Sequence, residues 1–221
     1  VREHPRYVDV DKCIACGICA EKCPRKVADA FNEGLNRRKA IYVQYPQAVP
    51  LKYAIDEAHC IYFEEQKCRA CEKFCPAGAV DLTQQPKLHR LEVGAVIRAP
   101  GFQTVDPSAY SYGYGSCPNV VTSKEFERLL SASGPTLGHL VRPSDGTEPK
   151  KIAWLQRVGS RDIQHGGHSY CSGVCCLFAV KAAICAREHS SGPREPAVFF
   201  LDMRTHRPDF ENNLLRAPHA Y

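Results

Sequence analysis

Four cysteines and a proline near the start of the chain have a spacing with a specific chemical use. Cys13, Cys16, Cys19 and Cys23 follow one another as Cys-x2-Cys-x2-Cys-x3-Cys, with Pro24 directly after. Three thiolates on so short a loop can each take one iron corner of a [4Fe–4S] cube, while the fourth, placed at a helix start by its proline, points to a neighbouring cube. Gly17 leaves room for the backbone to approach the sulfides, whose charge is steadied by amide N–H groups. A second set, Cys60-x7-Cys68-x2-Cys71-x3-Cys75-Pro76, repeats the later half of the pattern with a longer gap after its first member. Crossing of the fourth ligands assigns Cys13, Cys16, Cys19 and Cys75 to one cluster, and Cys23, Cys60, Cys68 and Cys71 to the other. Clusters held by thiolates exchange one electron at a time, so a pair reads as a wire, and any bond-making chemistry must lie elsewhere.

A third cysteine group is Tyr170-Cys-Ser-Gly-Val-Cys-Cys176, at the start of a segment with helical composition. Free amide N–H groups and the helix dipole there would stabilise thiolates or a cluster. Cys171, Cys175 and Cys176 therefore suit a third cluster or a strained redox bridge, and equally a set of core thiols. Cys117 and Cys185 read as a bystander thiol and a small core residue, and His59 as a surface histidine beside Cys60. Gly113-Tyr-Gly115-Ser-Cys-Pro118 imitates a dinucleotide fingerprint, but it lacks the last glycine and follows no strand, so it reads as a loop. No hydrolytic nucleophile, phosphate loop or convincing carboxylate pair is present.

The elements that must position these groups are legible in outline. The spacing predicts a buried strand over residues 91–101 ending in a tight turn, and a helix opened by the capping box Thr122-Ser-Lys-Glu125 and closed at Gly134-Pro135. A polar turn over 144–149, a buried strand over 152–156 and a helix over 175–187 follow. Residues 190–196 break that helix ahead of a third strand over 197–201. This strand, helix, strand order suggests an α/β layer with a parallel sheet. Residues 211–221 read as the beginning of an element without a visible end.

The 221 residues leave room for one ordinary domain or two small ones, and 44% hydrophobic with 24% charged residues describes a soluble globular chain. No apolar run approaches the ~20 residues of a membrane helix, and the polar, basic stretch Val1 to Lys12 is no secretory signal. Thirteen cysteines imply a secreted disulfide framework or an intracellular metal protein. Their tight spacing, and a start without signal features, point to metal in a reducing cytoplasm. The net charge of +5 is spread along the chain without the Lys/Arg density that nucleic acid needs. It reads as a solvated surface. The chain does not begin with methionine, and Met203 is its single one, which suggests a piece of a longer protein.

The sequence also resembles the middle of the A-type subunits of heterodisulfide reductase, an iron–sulfur flavoprotein family of methanogens with bacterial relatives. The resemblance rests on Val8-Asp-Val-Asp-Lys-Cys-Ile-Ala-Cys-Gly-Ile-Cys19, Cys68-Arg-Ala-Cys-Glu-Lys-Phe-Cys-Pro-Ala-Gly-Ala79 and Gly94-Ala-Val-Ile97. It continues through Tyr112-Gly-Tyr-Gly115, Pro118-Asn-Val-Val-Thr-Ser123, the stretch 125–134, Val158-Gly-Ser-Arg-Asp162 and the group 170–176. It implies an α+β ferredoxin-like domain with two [4Fe–4S] clusters over 1–88, inserted in an α/β thioredoxin-reductase-like flavoprotein domain of which 89–221 is a part. It further implies FAD, with other heterodisulfide-reductase-like subunits and a hydrogenase, formate dehydrogenase or ferredoxin as electron partners. In sulfate reducers a related protein meets the quinone pool.

Three departures stand out. Arg157 occupies the place of a family cysteine that joins Cys171, Cys175 and Cys176 around an additional cluster, leaving Cys117, His165 or His168 as substitutes, or a lost or three-iron cluster. Arg98-Ala-Pro-Gly101 replaces the family's flavin-side Ala-Thr-Gly, so Ala99, Pro100 and Gly101 form a weakened FAD contact, since proline offers no N–H. The glycine-rich turn that holds the FAD pyrophosphate is not in this sequence. The resulting expectation is an electron-transfer segment of an FAD-dependent oxidoreductase, inactive by itself. The alternatives are a stand-alone ferredoxin-type carrier and a thiol or cluster redox sensor without flavin.

Overall fold

The computed structural model describes residues 1–163, 166–189 and 192–205. The expectation for residues 211–221 and the candidate His165 lie outside these. The chain separates into two compact units, Val1–Pro100 and the part from Gly101 onward. Residues 89–100, assigned to the second domain by the sequence reading, group with the first unit.

The first unit is built from short pieces, because its loops must wrap around something rather than pack only on each other. Strands β1 (Arg2–Glu3), β2 (Lys26–Ala28), β3 (Arg37–Lys39), β4 (Ile41–Tyr42), β5 (Ala54–Ile55) and β6 (Lys87–Leu88) form three antiparallel pairs, β1 with β6, β2 with β3 and β4 with β5. Helices α1 (Ile18–Lys22), α2 (Ile61–Glu65) and α3 (Ala70–Lys73) each begin beside a cysteine of the motifs. The small core joins Tyr7, Val8, Ile41, Ile55, Ala79, Val80 and Leu82 with the buried cysteines Cys13 and Cys19. Tyr7 to Asp81 backbone bonding and a bridge between Val8 and Val80 tie the strand-like stretch before the first motif to the one after the second.

The second unit contains α4 (Ser123–Leu130), β7 (Lys151–Leu155), α5 (Cys175–Glu188) and β8 (Glu195–Phe199). Strands β7 and β8 pair in parallel, from Lys151 opposite Glu195 to Leu155 opposite Phe199, with α5 as the crossover between them. Cys176, Ala179, Val180, Ala183 and Ala186 form the buried stripe of α5, at the three-and-four spacing of a helix face. The ring of Phe126 on α4 meets Trp154 on β7 edge to face, 5.4 Å between centroids.

The capping box forms as the sequence predicts: the Thr122 hydroxyl accepts from the Glu125 N–H, and the Glu125 carboxylate accepts from the Thr122 N–H. The helix ends earlier than expected, at Leu130. Gly134 then folds back so closely that a Cβ there would lie 1.8 Å from the Arg128 carbonyl oxygen. The last strand begins at Glu195, two residues before the reading, and includes Pro196. A proline missing its N–H is tolerable in a strand with one open edge. Residues 113–118 form a loop, with the Cys117 N–H on the Gly113 carbonyl.

One expectation fails. Residues 91–101 form no strand: they are irregular and exposed, with Ile97 at 94%. An apolar run becomes a strand only where another backbone supplies hydrogen bonds and another surface covers its face. Among the described residues no strand runs beside this one.

Candidate iron–sulfur centres

The eight cysteines of the first two motifs line two separate hollows. Cys13, Cys16, Cys19 and Cys75 surround one, together with Val8, Gly17, Tyr53 and Val80. Cys23, Cys60, Cys68 and Cys71 surround another, together with Arg25, Ile41 and Ile55. These are the two quartets that the crossing rule predicts. Among the described residues no three ligating side chains converge on a point fit for a single ion. A cube asks for the opposite, since each thiolate takes a different corner.

Local sequence explains how each thiol arrives. Gly17 caps α1 in the left-handed conformation, φ 85°, and a Cβ there would come within 3.3 Å of the Tyr53 hydroxyl. Glycine thus serves both the turn and the close approach. In the second motif the stretched gap is filled by α2, after which Gln66, at φ 59°, reverses the chain toward Cys68. Cys60 is placed from behind by Asp56, which starts the 3-10 turn Glu57–His59 and is gripped by Arg38 at 2.7 Å. Arg38 also lies 3.6 Å over the Tyr42 ring.

Electrostatics group the thiols in the same way. Burial pushes Cys19 up to about 11, opposed by the Ala20 N–H and reinforced by the charges of Cys16, Cys75 and Cys13. Burial pushes Cys71 up to about 12, reinforced by Cys60, Cys23 and Cys68. Cys60 is raised by burial against the N–H groups of Tyr62 and Phe63. Burial thus disfavours the thiolate forms of Cys19, Cys60 and Cys71, and four negative charges per site need a cationic core to hold them. Backbone N–H groups also reach the sulfurs, Ala79 to Cys75 Sγ at 3.3 Å among them. Donor number and donor type fit an iron–sulfur cube in each hollow.

Sequence reading missed four contributors. Lys52 Nζ donates to the Cys13 carbonyl, and Lys39 Nζ to the Cys23 carbonyl, one lysine behind the first ligand of each quartet in chain order. Tyr53 lines the first hollow and Arg25 the second. Lys39, Lys52 and Tyr53 carry no local signal, because tertiary folding brings them there; Arg25 directly follows Cys23-Pro24, but the cysteine pattern does not specify that position.

The third group is brought together but incompletely equipped. Burial raises the Cys176 thiol, which accepts the Arg204 N–H at 3.4 Å and feels the charges of Cys175 and Cys171. Arg157 is nearly buried and ion-paired with Asp202, which also takes Arg161 at 3.0 Å and Arg204 at 2.7 Å. An arginine stays protonated and cannot ligate iron. The His168 ring stacks on Tyr170, 5.0 Å between centroids, and Cys117 is exposed in its loop. Three thiols beside an engaged arginine do not fit a cube held by four cysteines. Ala99, Pro100 and Gly101 are exposed and line neither hollow.

Fold and site together define a dicluster iron–sulfur protein, and residues 12–79 match the family model of the 4Fe-4S dicluster domain. Similarity then extends along the whole chain. It is 42% identical to the iron-sulfur A-type subunit of CoB–CoM heterodisulfide reductase from Methanocaldococcus jannaschii, covering 100% of this chain and 33% of that protein. It is 47% identical to the second iron-sulfur A-type subunit of CoB–CoM heterodisulfide reductase from Methanopyrus kandleri, with the same coverage of 100% and 33%. With the A-type subunit of the H(2):CoB-CoM heterodisulfide,ferredoxin reductase of Methanothermobacter thermautotrophicus the identity is 40%, again over 100% and 33%. The chain belongs to this family, the A-type subunits of heterodisulfide reductase, and it spans about a third of the length of the curated relatives it matches. Among the described residues no helix is long and apolar enough to cross a membrane.

Proposed function

We propose that this chain is the electron-relay segment of an FAD-dependent, heterodisulfide-reductase-A-like oxidoreductase, passing single electrons between flavin and partner subunits in a cytoplasmic complex. The observation that carries the reading is the sorting of eight cysteines into two four-thiol hollows. Bound there, each [4Fe–4S] cube supplies a one-electron redox centre. The chain's own residues hold the cubes through Cys13, Cys16, Cys19 and Cys75 in one hollow and Cys23, Cys60, Cys68 and Cys71 in the other. Val8, Val80, Ile41 and Ile55 limit water at the sites, and backbone N–H groups stabilise thiolate charge.

A stand-alone carrier is disfavoured, because the similarity runs far past residue 79 into the second unit. The flavin belongs to the whole oxidoreductase, where Ala99, Pro100 and Gly101 offer at most a minor contact. The partners in this reading are other heterodisulfide-reductase-like subunits, with a hydrogenase, formate dehydrogenase or ferredoxin as the source or sink of electrons. At Cys171, Cys175 and Cys176 we place no third cube, on the strength of the Arg157–Asp202 pair. Iron and sulfide quantitation on anaerobically purified protein, with EPR after reduction, tests the reading. About eight irons per chain are expected. About twelve would put a third cube back, and an iron-free protein would sink the relay.

A further inference from the structure

The two hollows are alike in their thiols and unlike in their charge. Each has a lysine bonded to a ligand carbonyl, Lys52 behind Cys13 and Lys39 behind Cys23, so these two cations balance between the sites. The first hollow is otherwise lined by apolar groups and the neutral Tyr53. The second also includes Arg25. The Nε of that guanidinium is inaccessible to solvent and has no hydrogen-bond partner in the protein. The other end of the side chain is anchored: an Nη contacts the Glu64 carboxylate on α2, the helix that Cys60 begins. The two side chains of this pair are about equally exposed, 36% for Arg25 and 38% for Glu64, so solvent screens both charges alike, whereas the Arg25 Nε–H itself lies inside. A buried donor left without an acceptor is costly, and the hollow that Arg25 lines is where an acceptor could sit.

We propose that Arg25 tunes the second cluster, donating its Nε–H and a fixed positive charge to the sulfur-rich anion held by Cys23, Cys60, Cys68 and Cys71. This rests on the two-cluster reading and adds a direction to it. Charge and hydrogen bonds to cluster sulfurs favour the reduced, more negative state. The second cluster is then the one of higher potential, and an electron shared by the pair resides there. Arg25 is a positioning and tuning residue, and touches no reacting substrate.

The test is a potentiometric EPR titration of the anaerobic full-length protein, wild type against Arg25→Gln and Arg25→Lys, each with iron quantitation. In Arg25→Gln the higher of the two potentials should fall enough to shift electron occupancy about tenfold toward the other cluster, ~59 mV for a one-electron couple. Arg25→Lys keeps a cation without the anchored Nε–H and should recover part of that shift. Unchanged potentials in both variants at wild-type iron content, or movement of the lower potential only, would overturn the role of Arg25. A wild-type protein without iron would overturn the two-cluster reading itself.

Discussion

Arg38 shows how a residue that touches no thiol governs one. Its guanidinium bridges Asp56 and Asp29, with both side chains of the Asp56 pair about 15% exposed or less, and it covers the Tyr42 ring. Removing it leaves the buried Asp56 with only the exposed His59 as side-chain partner, at a cost of about 3 kcal/mol. Arg38→Ala should lower the urea midpoint of the first unit and release iron preferentially from the Cys60 site, as visible absorbance during anaerobic unfolding would show. The pair also sets an acid limit. Burial alone would raise the Asp56 pKa, but the hydrogen bonds and charges of Arg38 and His59 outweigh it and hold the carboxyl below the usual range. That stabilisation is complete above the unfolded value of about 3.9 and is lost as the pH falls through the lower folded value. The difference in urea midpoint between wild type and Asp56→Asn, followed by circular dichroism, should be largest near neutrality and shrink below that point. Cys60 itself was the least regular member of its motif. Cys60→Ser should cut iron from about eight to about four per chain, and full retention would remove Cys60 from the ligand set. The cysteines were legible in the sequence because ligation depends on local spacing. Tyr53 and Lys52 were not, because nothing in their neighbours' types shows what lies across the fold from them.

At the scale of elements, the second unit separates what a sequence announces from what only packing decides. Thr122 and Glu125 declare the start of α4, since a cap is a contact between residues three apart. Its end is set by the fold-back of Gly134 onto Arg128, which no propensity contains. Thr122→Ala should cost ~1 kcal/mol, and Gly134→Ala more, about 3 kcal/mol, since its Cβ meets a backbone oxygen. Trp154 is the single tryptophan and packs on Phe126 of that helix, so its fluorescence during urea unfolding ranks the two variants. An equal effect of both would contradict the packing account. The stretch 91–101 failed as a strand for a related reason: its apolar residues satisfy the pattern, but pairing is a property of two segments. Pro196 misled in the opposite sense. The reading counted it as a breaker, yet the strand accepts it where one edge lacks a neighbour.

At the scale of the whole molecule, the division after Pro100 predicts separate behaviour of the two units. All eight cysteines proposed as cluster ligands lie before it, so residues 1–100 made alone under anaerobic conditions should take up as much iron as the full chain, with the same two EPR signals on reduction. A loss of either signal would mean that the second unit helps to hold the iron. In β1 and β6, Arg2 stands opposite Leu88 and Glu3 opposite Lys87. The strand ahead of the first cysteine motif and the strand after the second are therefore neighbours, about 4.8 Å apart. A surface loop in another protein could be opened at that width with little closure entropy to overcome. Pairing of these two strands holds the stretch that carries all eight cysteines closed at its base.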